Sequence, residues 1–164
     1  MTPQEFKKTE IGKIPEDWEE CKKNGSSFYF NFNGKVKKIK FLEYPKKPFI
    51  SDGGTQGIRI SKQFFEKFNP AQRVAILWHE FYHCRHGGFP VFLKLLLAED
   101  FNIIKPKWDE EYNADKFSAT ENNPESCLSV LEVCKILYKK GTIERNKKLH
   151  PPIEERIKRI RKLK

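Results

Sequence analysis

The sequence lacks any long apolar segment, and this absence argues against a transmembrane helix. Its apolar runs, such as Leu95–Ala98, are only a few residues long, whereas a membrane helix needs about 18 to 20 apolar residues. The opening residues, MTPQEFKKTE, also lack the apolar core of a secretory signal. The 9 glycines and 10 prolines follow no period, which excludes a collagen-like chain. The sequence therefore predicts a globular, cytoplasmic protein.

Cysteine is scarce as well. The four cysteines, Cys21, Cys84, Cys127 and Cys134, form no C-x-x-C pair. Without an export signal, we expect reduced thiols. Cys127 and Cys134 are seven residues apart on a predicted helix. One buried helix face explains them better than a metal site, because they lie about two turns apart.

Acidic residues are outnumbered by basic ones. In 164 residues, 22 Asp and Glu stand against 32 Lys and Arg, which gives a net charge of +10. Such a balance can indicate an acidic partner, such as nucleic acid or a membrane surface. No block of aromatic residues alternates with the basic ones, so a solvated lysine-rich surface is the favoured interpretation and a nucleic-acid partner the less favoured one.

The chain is predicted to consist of a polar N-terminal arm, residues 1–25, and one domain, residues 26–164. Pro15 and Gly25 interrupt the arm, which is predicted to be irregular. Aromatic and β-branched runs then predict three or four strands, at 28–32, 36–41, 49–50 and 57–61. Asn33-Gly34 predicts a hairpin, and 52–54 a glycine-rich turn.

Helices are predicted to follow these strands. Asn69 is a helix cap, Pro70 stands at the first helical position, and Gln72 completes a capping box, so a helix is predicted from there to about Arg85. Further helices are predicted at 90–98, 108–120, 124–138 and 151–162. The predicted fold class is α+β, with a small, mostly antiparallel sheet packed on the helix that Asn69 caps.

That helix contains His79-Glu80-Phe81-Tyr82-His83, an H-E-x-x-H motif. Residues i and i+4 lie on one face of a helix, so the two imidazoles can share one tetrahedral metal ion. Glu80 is offset by one position and can reach a water on the metal without being a ligand, an arrangement typical of metal-assisted hydrolysis. Two solvated histidines on a surface helix are the alternative interpretation.

A third protein ligand is needed, and a later helix offers one. The metzincin pattern requires histidine at position 89, which is Phe89. The other standard solution is a glutamate from a second helix, and Glu111 supplies it. Ala114, Asp115 and Ser118 share its face; Ala114 permits close approach, and Asp115 can accept the N–H of a ligating histidine. A solvated Glu111 on an amphipathic helix is the alternative.

A third motif stands near the end of the sequence, at His150-Pro151-Pro152-Ile153-Glu154-Glu155-Arg156-Ile157. Together, the three motifs resemble the gluzincin peptidases of the HtpX and CAAX-prenyl endopeptidase group. The resemblance runs from about Gly57 to Leu163. Most members of that group are integral membrane proteins, so this chain looks more like their soluble minimal relatives, the minigluzincins.

The resemblance implies an endopeptidase that cuts a polypeptide substrate and uses Zn²⁺ as its cofactor. His79, His83 and Glu111 would hold the zinc, and Glu80 would act as general base and then as general acid. Some minigluzincins are latent zymogens, so latency is a further alternative. The oligomeric state is not predicted.

The resemblance also assigns supporting roles. His150 would hydrogen-bond the developing oxyanion, whereas a plain helix-start residue is the alternative. Arg156 would anchor the helices of the zinc site, and a guanidinium can pair bidentately with a carboxylate such as Asp115.

The strand at 57–61 is assigned to the substrate. Its residues Gly57, Ile58, Arg59 and Ile60 are predicted to form an edge strand that pairs with an extended peptide backbone.

Two other functions stay open at this stage. One is a repressor-cleaving intracellular metallopeptidase, which the Glu111 motif fits equally well. The other is a basic nucleic-acid-binding or docking protein with a structural zinc, which a fourth ligand such as Cys84 or His150 would favour. Separately, Phe6 to Glu19 resembles the opening segment of the specificity subunits of type I restriction enzymes, a match of about a dozen residues that carries no chemistry.

Overall fold

The computed structural model describes the backbone of the strands between residues 6 and 54, and both backbone and side chains of residues 57–86, 108–143 and 150–163. Backbone pairing assigns the strands β1 (Phe6–Thr9), β2 (Gly12–Pro15), β3 (Glu19–Asn24), β4 (Ser27–Phe32), β5 (Lys35–Leu42), β6 (Ser51–Gly54) and β7 (Gly57–Ser61). β1 and β2 form an antiparallel pair, and the others follow the order β3-β4-β5-β7-β6. β5 and β7 are parallel, whereas the remaining neighbours are antiparallel.

The helices are α1 (Lys62–Phe65), α2 (Pro70–His86), α3 (Trp108–Glu121), α4 (Pro124–Lys139) and α5 (Ile153–Arg161). They contain 75% of the residues whose side chains are described, among which β7 is the single strand. The helical part of the predicted class is therefore confirmed. The packing of a mostly antiparallel sheet on α2 is not confirmed by these residues.

The segment 1–25 differs from its prediction, because backbone pairing assigns β1, β2 and β3 there. Its composition is polar, and strand formation in such a segment depends on its pairing partner more than on its own propensity. β3 pairs with β4, which contains the aromatic run at 28–32. The division into an arm and a domain at residues 25 and 26 stays a prediction.

The predicted edge strand is wrong. β7 pairs with β5 on one side and with β6 on the other, so Gly57–Ser61 lies inside the sheet order and not at its edge. The residues 52–54, predicted as a turn, belong to β6. Aspartate and glycine favour turns, but pairing with β7 places them in a strand. The side chains of Ile58 and Ile60 are buried, whereas Arg59 is exposed.

The helix that carries the H-E-x-x-H motif begins and ends within one residue of its prediction. The Gln72 N–H donates to Asn69 Oδ1 at 2.9 Å, and the Asn69 N–H donates to Gln72 Oε1 at 2.8 Å, which is the predicted capping box. α3 and α4 also match their predictions closely. α5 begins at Ile153 and not at Pro151, because a residue that precedes a proline is pushed out of the helical region and Pro152 becomes the cap.

Two predictions, the strand at 49–50 and the helix at 90–98, lie outside the described residues. Within the described ranges, no helix is both long enough and apolar enough to cross a membrane.

Two groups of buried side chains hold α2 in place. One surrounds Leu77, Trp78 and Phe81 and includes the β7 residues Ile58 and Ile60. The other lies between α4 and α5 and reaches Ala75 of α2. Since α2 is packed on these sides, the face with His79 and His83 is the one left for polar chemistry.

Candidate metal centre

The two histidines of α2 lie side by side. The Nε2 atoms of His79 and His83 are 3.2 Å apart, as the spacing of four residues on one helix face predicts. Both side chains are about 15% exposed. The rings cross edge to face, with centroids 4.9 Å apart. Both nitrogens can therefore face the same point.

Glu111 of α3 completes the group. Its Oε1 lies 3.2 Å from His83 Nε2, and its Oε2 lies 3.7 Å from His79 Nε2. α3 packs on α2, and the fully buried Ala114 permits this close approach. The interpretations of solvated histidines and a solvated Glu111 do not fit these distances or the burial of Glu111, which is 6% exposed.

The group formed by His79, His83 and Glu111 could hold a metal ion. Each residue offers one ligand atom, and the three atoms lie within 4.8 Å of one another. Ligands at zinc-like distances of about 2.0 to 2.1 Å occupy tetrahedral corners about 3.3 to 3.4 Å apart. The 3.2 Å from His79 Nε2 to His83 Nε2 and the 3.2 Å from His83 Nε2 to Glu111 Oε1 are close to that value, whereas the 3.7 Å from His79 Nε2 leads to the other oxygen of Glu111, Oε2. Two imidazoles and a carboxylate thus fit a zinc-sized ion, although the donor set does not identify the metal.

Asp115 contacts the ring of His79. Its Oδ1 lies 3.0 Å from His79 Nδ1, so Nδ1 carries the proton and Nε2 keeps its lone pair for a metal. Asp115 is 5% exposed. One turn of α3 thus contains both Glu111, a member of the possible metal group, and Asp115, which contacts another member, His79.

Arg156 ties α5 to this pair of carboxylates. Its Nε donates to Asp115 Oδ2 at 2.7 Å, and its Nη2 donates to Asp115 Oδ1 at 2.6 Å. Its Nη1 also lies 3.3 Å from Glu111 Oε2. The predicted bidentate pairing with Asp115 is therefore present, and the contact with Glu111 is an addition to it.

His150 reaches the same carboxylate from just before α5. Its Nδ1 lies 3.0 Å from Glu111 Oε2, and its side chain is 31% exposed. The alternative of a plain helix-start residue does not fit, because Pro152 occupies the cap position of α5 and no side chain caps it. The predicted contact with an oxyanion is not tested by this arrangement.

The electrostatic balance keeps the carboxylates ionised. Burial alone would raise the pKa of Glu111, but hydrogen bonds with His150 and His83 and the charge of Arg156 hold it far below its usual range. Burial would likewise raise the pKa of Asp115, and the Arg156 guanidinium lowers it. Both groups are therefore negatively charged at neutral pH, as a cation site requires.

The pKa of His83 moves in the opposite direction. Burial lowers it, but the hydrogen bond to Glu111 and the charges of Glu80, Glu111 and Glu110 outweigh burial, so the pKa lies above its usual value. The carboxylates around His83 thus favour a positive charge there, which either a proton or a metal ion can supply.

A cavity of about 70 Å³ adjoins the group. Its polar end includes Glu80, which is 5% exposed, together with His79, Glu111 and His150. Its other walls are mostly apolar and come largely from α4, with Val130, Leu131 and Cys134. Sequence reasoning missed this wall, although the i, i+1 and i+4 spacing on a helix could have indicated it.

Cys84 and His86 stand close to the H-E-x-x-H motif in the sequence. Among the described residues, the group that could hold a metal ion contains neither of them. Cys84 is half-buried and His86 is exposed at the end of α2.

Comparison of the chain with protein-family models, with curated proteins and with solved structures finds no match. The resemblance to gluzincins therefore depends on the three motifs alone.

Proposed function

We propose that this protein is a zinc-dependent endopeptidase of the gluzincin type. The convergence of His79, His83 and Glu111, with a buried Glu80 on the wall of the adjoining cavity, carries this proposal. Among the described residues, this group supplies three protein ligands, which leaves one tetrahedral position for water or substrate. That count supports a catalytic site over a structural zinc with four protein ligands.

The chemistry divides between the ion and the chain. A zinc ion held by His79, His83 and Glu111 would supply Lewis acidity for hydrolysis of a peptide bond. Glu80 takes a proton from the attacking water and then donates it to the leaving amine. Asp115 holds the His79 ring in the orientation that leaves Nε2 available, and Arg156 holds Asp115.

His150 has a proposed role in the transition state. It lines the cavity beside Glu111, and its proposed part is to donate a hydrogen bond to the substrate carbonyl oxygen as negative charge develops there. The joint presence of His150 and Arg156 at the site favours the gluzincin assignment over the repressor-cleaving alternative, which gives these two residues no role.

Because β7 lies inside the sheet, the strand proposed to pair with the substrate backbone is β6 instead of β7. In the described backbone, β6 ends the sheet order and lies beside α2. An extended peptide could add to this edge by main-chain hydrogen bonds. A cytoplasmic location belongs to the proposal as well.

The test is a peptidase assay of Glu80→Gln beside the parent. We expect the variant to retain one zinc per chain and its helical circular dichroism but to lose at least about a hundredfold in rate, as on removal of a general base. Glu121→Gln, an exposed change at the end of α3, is the matched control and should cut normally. A Glu80→Gln variant as fast as the parent would contradict the proposal, whereas a zinc-loaded parent that cuts no peptide would favour a latent zymogen or a binding role.

A further inference from the structure

A buried hydroxyl joins α3 to α2 below the metal group. Ser118 Oγ donates to the carbonyl oxygen of Ala75 at 2.7 Å, and the Ser118 residue is 1% exposed. The same Oγ lies 3.0 Å from Cys127 Sγ of α4. Three helices therefore meet at one polar contact inside an otherwise apolar region.

The acceptor of this bond lies one helical turn before His79. In an α-helix the carbonyl of residue i accepts from the N–H of residue i+4, so Ala75 O is also the acceptor for the His79 amide. A carbonyl oxygen has two lone pairs and can accept both hydrogens. Ser118 is thus bonded to the carbonyl that holds the backbone of a proposed metal ligand.

α3 consequently contacts the α2 turn from Ala75 to His79 at both of its ends. Asp115 binds the His79 ring, and Ser118, three residues later, binds the carbonyl beneath His79. Alanines at this crossing, Ala75 and Ala114, are 2% and 0% exposed, so small side chains bring the two backbones close. Two contacts at different points along the helix axes fix both the distance between the helices and the position of one helix along the other.

The direction of the hydrogen bonds follows from the donor count. A serine hydroxyl has one hydrogen, and Ser118 gives it to Ala75 O. The thiol of Cys127 must then be the donor toward Ser118 Oγ. Burial raises the pKa of Cys127 to about 12, so the thiol keeps its hydrogen at neutral pH. The Cys127 hydrogen bond restricts the rotation of the Ser118 hydroxyl and keeps it aimed at α2.

We propose that Ser118 is a positioning residue of the metal centre. Its hydrogen bond fixes the position of α3 along the axis of α2, and this position determines the distance from Glu111 to His79 and His83. Glu111 and Ser118 are seven residues, two turns, apart on α3, about 10.5 Å along its axis. A small shift of α3 at Ser118 is therefore carried by the rigid helix to the ligand. This inference rests on the metal centre of the proposed function.

The test compares Ser118→Ala with a matched control, Ser129→Ala. Ser129 Oγ accepts from Gln72 Nε2 at 2.6 Å, so it also joins two helices, α2 and α4, but away from the turn of His79. Ser129→Ala removes one hydrogen bond between helices, whereas Ser118→Ala removes the bond to Ala75 and the contact with Cys127. Co²⁺ is the spectroscopic probe. We expect Ser118→Ala to bind Co²⁺ about tenfold more weakly, the scale of losses among residues that support ligands, and to change the visible absorption of bound Co²⁺. Ser129→Ala should match the parent in both.

A second readout needs no metal. The ¹⁵N signals of the His79 ring report its contact with Asp115, and we expect Ser118→Ala to move them in the metal-free protein while Ser129→Ala does not. If the parent binds no Co²⁺, the proposed centre fails, and these signals alone then decide whether Ser118 positions His79. If Ser118→Ala does not fold, Cys127→Ala should produce a smaller shift in the same direction. Equal behaviour of the Ser118 or Cys127 variant and the Ser129 control would overturn the proposal.

Discussion

At the residue scale, Glu111 is the side chain that joins the three motifs. Its two oxygens contact His83 of α2, His150 from just before α5, and Arg156 within α5. A buried carboxylate tolerates this position only because positive or donating groups surround it. Each of those groups is therefore part of the site even where it cannot bind a metal.

The imidazole of His83 is the simplest test of the ligand set. We expect His83→Ala to contain much less than one zinc per chain after dialysis, because two ligands bind zinc far more weakly than three. His86→Ala removes an exposed histidine three residues away on the same helix and should keep its zinc. Metal analysis by mass spectrometry provides the measurement, and one zinc per chain in His83→Ala would refute the assignment.

Arg156 offers a test of the supporting contacts. Arg156→Ala should weaken zinc affinity by about ten- to a hundredfold. It should also lower the free energy of unfolding by about 3 to 5 kcal/mol, because Asp115 is left as a buried charge without its partner.

The control for this change is Arg159→Ala. Arg159 lies on the same helix, is 52% exposed, and contacts Glu155 and the Tyr112 ring. We expect little change in zinc affinity there. A competition titration with a chelator and urea unfolding measure the two quantities, and equal effects of the two arginine substitutions would argue against a specific role for Arg156.

At the element scale, sequence reasoning succeeded where a structure is determined locally. α2 was predicted to within a residue because Asn69, Pro70 and Gln72 specify its start by contacts within one turn. The approach of His79 to His83 likewise follows from helical periodicity. In contrast, β6 was predicted as a turn, because Asp52-Gly53-Gly54 has turn propensity, and it is the pairing with β7, the next strand in the chain, that places these residues in the sheet.

The same distinction, between features determined locally and contacts between distant residues, applies to the residues of the site. Spacing alone predicted that Glu111 and Asp115 share a face, and the family resemblance supplied Arg156. Nothing local indicated that Ser118 meets the carbonyl of Ala75, since that contact joins residues 43 positions apart in sequence. Contacts of this kind depend on how helices pack, which a single sequence does not specify.

The capping box of α2 gives a prediction at this scale. Asn69→Ala should lower the free energy of unfolding by about 1 kcal/mol, since the Gln72 N–H loses its acceptor. Asn113→Ala, an exposed change inside α3, provides the control and should alter stability by less than about 0.5 kcal/mol. Urea unfolding measures both, and a similar loss in the two variants would show that the cap contributes nothing particular.

At the scale of the whole molecule, the buried face of α4 holds two thiols inside the fold. Burial raises the pKa of Cys127 to about 12 and that of Cys134 to about 11. A raised thiol pKa means less thiolate at pH 8, and thiolate is the reactive form. The folded protein should therefore protect both residues from alkylation.

The measurement is iodoacetamide labelling at pH 8, followed by mass spectrometry of peptides. We expect Cys127 and Cys134 to react at least about a hundredfold more slowly in the native protein than in urea, where the thiol pKa returns to about 8.5. Similar rates in both conditions would mean that α4 does not pack as described.

The pairing of Arg156 with Asp115 also has a consequence for the order in which the protein is made. The two residues are 41 positions apart, and ribosomes add roughly 5 to 20 residues per second. For about 2 to 8 seconds, a growing chain therefore contains the acidic residue without the cation that neutralises it. During that interval, closing α2 and α3 over Asp115 would bury a carboxylate with His79 as a partner but without the Arg156 guanidinium, which costs free energy.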